Sequence, residues 1–180
     1  MRRHSSALLA LLALGAAACS ESNDPDIAAR ATAVLRDAAG AQVGTANITE
    51  DENATVVVSL SVTGMTEGQH GVHLHMTGAC DGAGAFSSAG AHYNPFTKEH
   101  GLENPDGAHA GDMPNIAVAA DGRGSVRHMN PNVTLSPGPR SVLGRSIVVH
   151  EKADDMRTNP AGDSGGRILC GVIEPARPTR

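Results

Sequence analysis

Short alternations of apolar and polar residues run through most of the chain, and they set the first expectation. Ile27, Ala29, Ala31, Ala33 and Leu35 alternate with Ala28, Arg30, Thr32, Val34 and Arg36, the period of a half-buried strand. "DAAGAQ" then reads as a turn. In "TVVVSLSVTG" the residues Val56, Val58, Leu60 and Val62 share one face. "HGVHLHM", "NIAVAADG", "GSVRHMN", "SIVVHEK" and "RILCGVIE" are further runs of the same kind, with a weaker one near Val43 to Thr49. About eight strands and no useful helical period predict an all-β sandwich or barrel. With no Trp, one Tyr and two Phe, its core must be filled by Val, Ile, Leu and Ala.

Two stretches break the pattern. Between Met76 and Asn115 lie nearly forty residues without strand or helix signal, and another irregular run extends from Ala153 to Gly166. Structureless loops beyond about 12–15 residues are uncommon in compact domains and are usually functional or disordered. The first contains "HYNPFTKEHGLENPDGAHAGD", broken by Pro95, Gly101, Pro105, Gly107 and Gly111. It cannot bury a core of its own.

The amino terminus is a different region. Basic Met1–His4 and the apolar run Ala7–Ala18 have the form of a secretory signal and are too short for a membrane-spanning helix. Ala16-Ala17-Ala18-Cys19 resembles a bacterial lipoprotein processing site, so residues 1–18 are read as a signal peptide and Cys19 as lipidated. Residues 19–26 are a polar tether, residues 27–175 the domain and residues 176–180 a tail. The expected location is exported, in the periplasm or cell envelope, with membrane contact only through the lipid on Cys19. If Cys19 carries lipid, Cys80 and Cys170 remain as a pair that an oxidising compartment would let bridge. The alternative is two buried free thiols.

Charge excludes one class of partner. The chain has 14 basic and 19 acidic residues, net −5. Loss of residues 1–18 removes Arg2 and Arg3 and leaves 12 against 19, net −7. A general nucleic-acid binder presents a basic surface, so nucleic acid is not an expected partner.

Nine histidines carry the candidate chemistry. His73 and His75, two apart on a strand, point to the same face about 6.5–7 Å apart, which suits two ligands of one metal. His70 faces the other side. His150 ends "SIVVH", where a neighbouring strand would bring a third imidazole alongside. In the long loop His92, His100, His109 and Asp112 are four more ligand candidates. Metal coordination would explain how a coreless loop is ordered. Three imidazoles and a carboxylate suit tetrahedral zinc, while an all-imidazole set suits copper, zinc or nickel. Spacing does not choose among them.

"HGVHLH", "SAGAHYNP", "HAGDMPN", "GRSIVVHEKADD" and "GGRILCGVI", in this order, resemble the copper–zinc superoxide dismutases across Ile27 to Glu174. The resemblance implies an eight-stranded Greek-key barrel or sandwich with two long functional loops, a metal-binding loop and a short electrostatic loop. It implies one copper per subunit on His73, His75, His92 and His150, and one zinc on His92, His100, His109 and Asp112, with His92 bridging. Asp154 would join His73 to His100, and Arg167 beside the copper would attract the superoxide anion; Arg167 and His92 are the implied catalytic residues. His70 falls at a structural position, and His128 reads as a surface residue. A homodimer is among the assemblies the resemblance allows. The implied reaction converts superoxide to oxygen and hydrogen peroxide; a non-catalytic copper-handling protein on the same fold is the alternative.

The sequence departs from the family in two places. "EKADDMRTNPAGDSGG" is shorter than in many eukaryotic members and lacks their lysine-rich channel pattern, leaving Arg167 to carry most of the attraction. Tyr93 stands where the family usually has Phe, a change expected to be tolerated.

Overall fold

The computed structural model describes residues 27–177; the expected signal peptide, lipidated Cys19 and tether lie outside them. The alternating runs become strands β1 (Ile27–Arg36), β2 (Gln42–Asp51), β3 (Val56–Val62), β4 (Gly68–His70), β5 (Val72–His75), β6 (Ile116–Val118), β7 (Gly124–Asn130), β8 (Ser146–His150), β9 (Arg167–Val172) and β10 (Glu174–Pro175). All pair antiparallel in the order β4-β6-β7-β3-β2-β1-β9-β8-β5, with β10 added on β1. The strand faces follow the alternation: Ala31, Ala33 and Leu35 of β1 and Val56, Val58, Leu60 and Val62 of β3 are buried in one core.

The count is ten rather than eight because two runs are cut. "HGVHLHM" breaks at Gly71, and its halves lie on opposite edges of the sheet, β4 against β6 and β5 against β8. The barrel nearly closes at that point. Gly71 accepts from the His150 amide at 2.9 Å and donates to Lys152 at 2.8 Å, so its backbone makes the join that strand pairing does not. "RILCGVIE" breaks at Ile173, after which β10 turns onto β1.

β5 and β8 are buried on both faces. Their inward residues, Val72 and Leu74 opposite Val149 and Ile147, join the core. Their outward residues include His73, His75 and Val148, which the long loops cover. There Phe86, Ala89, Val148 and Cys170 form a second small apolar cluster, and Cys80 is bonded to Cys170. The bridge ties the first long loop to β9. A third irregular stretch, residues 131–145 between β7 and β8, stands where only two long loops were expected. It is anchored by buried Glu50, whose Oε2 accepts from the Leu135 and Ser136 amides at 3.1 and 3.2 Å.

Candidate metal centre

The long loop that carries His92, His100, His109 and Asp112 is held to β5 by backbone bonds. Leu74 of β5 donates to Gly111 O and accepts from the Tyr93 amide, each at 2.8 Å, while Gly111 donates to Tyr93 O at 2.8 Å. Isolated bridges pair His73 with Asp112 and His75 with His92. Both arms of the loop are therefore stitched along the free edge of β5. A Cβ on residue 111 would lie 2.3 Å from Leu74 O, so glycine is required for the approach. Backbone pairing with β5 fixes the loop's two arms, and the bridge foreseen between Cys80 and Cys170 pins the stretch before them.

This stitching brings four imidazoles together on the outer face of β5 and β8. The His92 ring stacks on His73 with centroids 3.9 Å apart and lies 4.9 Å from His75; His73 and His150 are 4.8 Å apart. Each ring has one nitrogen engaged. His73 Nε2 donates to Asp154 Oδ2 at 2.7 Å, and His75 Nδ1 to Gly90 O at 2.9 Å. His150 Nδ1 faces Gly165 O at 3.3 Å, and His92 Nδ1 faces Asp112 Oδ1 at 3.1 Å.

An imidazole that donates from one nitrogen while neutral presents a lone pair at the other. Those other nitrogens, His73 Nδ1, His75 Nε2, His92 Nε2 and His150 Nε2, are buried and have no partner; among the described residues only Ser164 Oγ shares that condition. Each such orphan costs about 1–3 kcal/mol, and here four converge within 4.8 Å. Four lone pairs facing one another cannot satisfy each other. A cation satisfies all four, and an all-nitrogen set suits copper.

Asp112 Oδ1 gathers a second set. His100 Nδ1, His92 Nδ1 and His109 Nδ1 lie 3.0, 3.1 and 3.3 Å from it. Its Oδ2 accepts the Gly101 and His109 amides, each at 2.9 Å, which fixes the carboxylate. Three nitrogens and one oxygen fit tetrahedral zinc. Mutual distance alone groups His73, rather than His109, with His92, His100 and Asp112. Its Nε2 is spent on Asp154, however, and its free Nδ1 belongs to the other four. His92 alone turns one nitrogen to each set.

Asp154 sits behind both. Its Oδ2 holds His73, its Oδ1 accepts from His100 Nε2 at 3.1 Å, and Asn115 bonds its backbone at both ends. This fixes the tautomers of two rings at once. Burial holds His75 down to about 2, His150 to about 3 and His92 to about 4, so these rings are neutral near pH 7. His100 moves the other way. Burial opposes its charge, but hydrogen bonds to Asp112 and Asp154 outweigh it and raise it to about 9.

Arg167 forms one wall of a cavity of about 690 Å³ onto which His92, His109 and His150 open. Its Nη1 donates to Phe86 O at 2.7 Å and its Nη2 to Gly90 O at 2.6 Å. Gly90 O thus orients both His75 and Arg167. Gly90 has φ 74° and ψ −155°, a region essentially reserved for glycine. Gly90→Ala is expected to lower stability by about 1–3 kcal/mol, read as an earlier urea midpoint.

Two other histidines were assigned from sequence. Buried His70 faces His150 O at 2.9 Å and Thr66 O at 3.1 Å, a structural role. His128 is half-buried rather than a surface residue: it lies opposite Val58 on the core-facing side of β7. The alternation in "GSVRHMN" carried that signal.

Comparison with known proteins agrees with this geometry. The family model described as copper/zinc superoxide dismutase matches residues 42–173. The copper–zinc superoxide dismutase of Caulobacter vibrioides is 43% identical over 150 residues, covering 80% of this chain and 85% of the relative. The superoxide dismutase-like protein YojM of Bacillus subtilis is 36% identical over 184 residues, covering 92% and 93%. A crystal structure of a superoxide dismutase-like protein from Bacillus subtilis superposes with a TM-score of 0.73 at 37% identity, covering 78% of this chain and 95% of the other. With the motifs, the barrel and the two ligand sets in agreement, the chain belongs to the copper/zinc superoxide dismutase family.

Proposed function

We propose that this chain is an active superoxide dismutase, with copper on His73, His75, His92 and His150 and zinc on His92, His100, His109 and Asp112. The observation that carries this reading is the set of four convergent, unpartnered imidazole lone pairs. Copper bound there supplies the one-electron couple that oxidises one superoxide to oxygen and reduces a second to peroxide, while zinc has no redox chemistry of its own.

The chain's residues do the rest. Arg167 draws the anion into the cavity and holds it beside the imidazoles. It is the only cationic side chain lining that cavity among the described residues, since Arg157 is exposed and paired with Glu103 at 2.9 Å. His92 Nε2 is the atom at which a proton can be held for the peroxide-forming half, because Nδ1 stays turned to Asp112. Asp154 keeps His73 and His100 in the donating tautomer that frees their Nδ1 atoms for metal. The overall balance is two superoxide anions and two protons giving oxygen and hydrogen peroxide.

The direct test is dismutation by the chain from Ser20 onward after loading with one copper and one zinc. Fast copper-dependent turnover supports the proposal. Tight binding of both metals without turnover would replace it with a metal-handling role.

A pH prediction follows for zinc alone. In the metal-free protein His100 is protonated below about 9, and zinc must displace its Nδ1 proton while Nε2–H stays on Asp154. Zinc affinity is expected to rise about tenfold per pH unit from pH 7 towards 9 and then level off. Calorimetry across that range checks it; a pH-independent affinity would remove His100 from the zinc set.

The location proposed is the cell envelope, with lipid on Cys19. Its support is the basic start, the apolar run ending at Cys19, and the Cys80–Cys170 bridge, which suits an oxidising compartment and leaves Cys19 as the odd thiol. Fatty-acid labelling that persists in Cys19→Ser would refute it.

A further inference from the structure

Arg145 and Tyr93 make contacts that the reaction described above does not use. The Arg145 guanidinium lies 3.8 Å from the centroid of the Tyr93 ring. Its Nη1 donates to Met76 O at 2.7 Å and its Nε to Ser141 O at 2.8 Å. The Tyr93 hydroxyl donates to Pro139 O. Met76 directly follows His75, Tyr93 directly follows His92, and Arg145 directly precedes β8, which ends at His150. One guanidinium therefore grips the chain beside two of the four converging imidazoles and heads the strand of a third.

We infer that Arg145 and Tyr93 form a clamp that sets the spacing of His75 and His92, and so are positioning residues for the reaction. This rests on the ligand assignment proposed above. The free edge of β5 carries the loop through only a few backbone bonds, so His92 could drift from His75 without a further tie. The guanidinium provides one, stacking on the ring after His92 while bonding the carbonyl after His75. Lysine cannot do both, because it lacks the planar fork. The hydroxyl extends the clamp to residues 131–145: Tyr93 is 2% exposed, a buried phenol needs an acceptor, and Pro139 supplies it. Phenylalanine at this position would keep the stack and lose the tie.

Three variants test the clamp. In R145M the zinc affinity is expected to fall about tenfold, in line with the loss of a supporting contact behind a ligand, and the electron paramagnetic resonance spectrum of bound copper(II) should change shape. R145K should not restore either. Y93F should show a smaller loss, roughly threefold. In metal-free protein the Tyr93 and Gly111 amides should exchange faster in R145M and R145K while those of β2 and β3 keep their protection. That arm needs no ligand assignment, so it fails or succeeds separately from the metal reading. Parent-like zinc affinity and spectrum in both R145K and Y93F would overturn the inference. So would faster exchange spread evenly over the barrel, which would mark a role in general stability only.

Discussion

His92→Ala is expected to cost the centre its zinc affinity and one of its four converging imidazoles while leaving the barrel folded. His92 is the one ring with a nitrogen in each set, Nδ1 at 3.1 Å from Asp112 and Nε2 among the four lone pairs. Losing a contact behind a ligand already costs metal affinity 10–100-fold, so losing the ligand should weaken zinc by about a hundredfold or more. The copper set retains His73, His75 and His150, and copper should still bind. The backbone bonds of Tyr93 and Gly111 to Leu74 do not involve the imidazole. The arms of the loop should therefore stay protected from amide exchange while the span from Thr97 to His109 loosens. Zinc calorimetry with loop-resolved exchange reads both. Full zinc affinity in the variant would remove His92 from the bridging position.

The sequence made most local features of this molecule readable; apart from His128, whose burial the alternation of its own strand carried, the misses were non-local. The inward faces of β1 and β3 follow from period-two alternation, and the pairing of His73 with His75 follows from their separation of two on one strand. Nothing local marks Gly71 as the point where the chain passes from one edge of the sheet to the other, because both halves of "HGVHLHM" look like one strand. Which edge each half joins is set by β6 and β8, far away in sequence. Residues 131–145 gave no sign of a third long loop, since their anchors are Glu50 on β2 and Tyr93 in another loop. The bonds that hold the long loop to Leu74 were equally hidden, because they are backbone bonds with no sequence signature. The identities of the ligands came from the family resemblance. The lone-pair geometry groups the same four imidazoles without it, and Asp112 Oδ1 gathers His92, His100 and His109.

The same separation of local from long-range effects governs the attraction of substrate, and Arg167→Ala tests it. The chain from Cys19 onward has a net charge of −7, so at distance it repels an anion. Screening confines charge effects to about 8–10 Å at ordinary ionic strength, within which Arg167 is the only cation lining the cavity among the described residues. Local steering of this kind raises association about 10–10³-fold; with one charge carrying it, a loss of about 10–100-fold in the second-order rate is expected. In the parent, added salt weakens the attraction and slows the reaction. In the variant only the repulsion remains to be screened, so the salt slope should flatten or turn upward. Copper should stay bound, because Arg167 bonds carbonyls of Phe86 and Gly90 rather than any ligand nitrogen. Arg167→Lys separates charge from placement: it keeps the salt slope but lacks the fork that spans both carbonyls, so its rate should fall between parent and alanine. Stopped-flow decay of superoxide across ionic strength measures all three, and an alanine variant with parent rate and slope would transfer the steering to the copper's own charge.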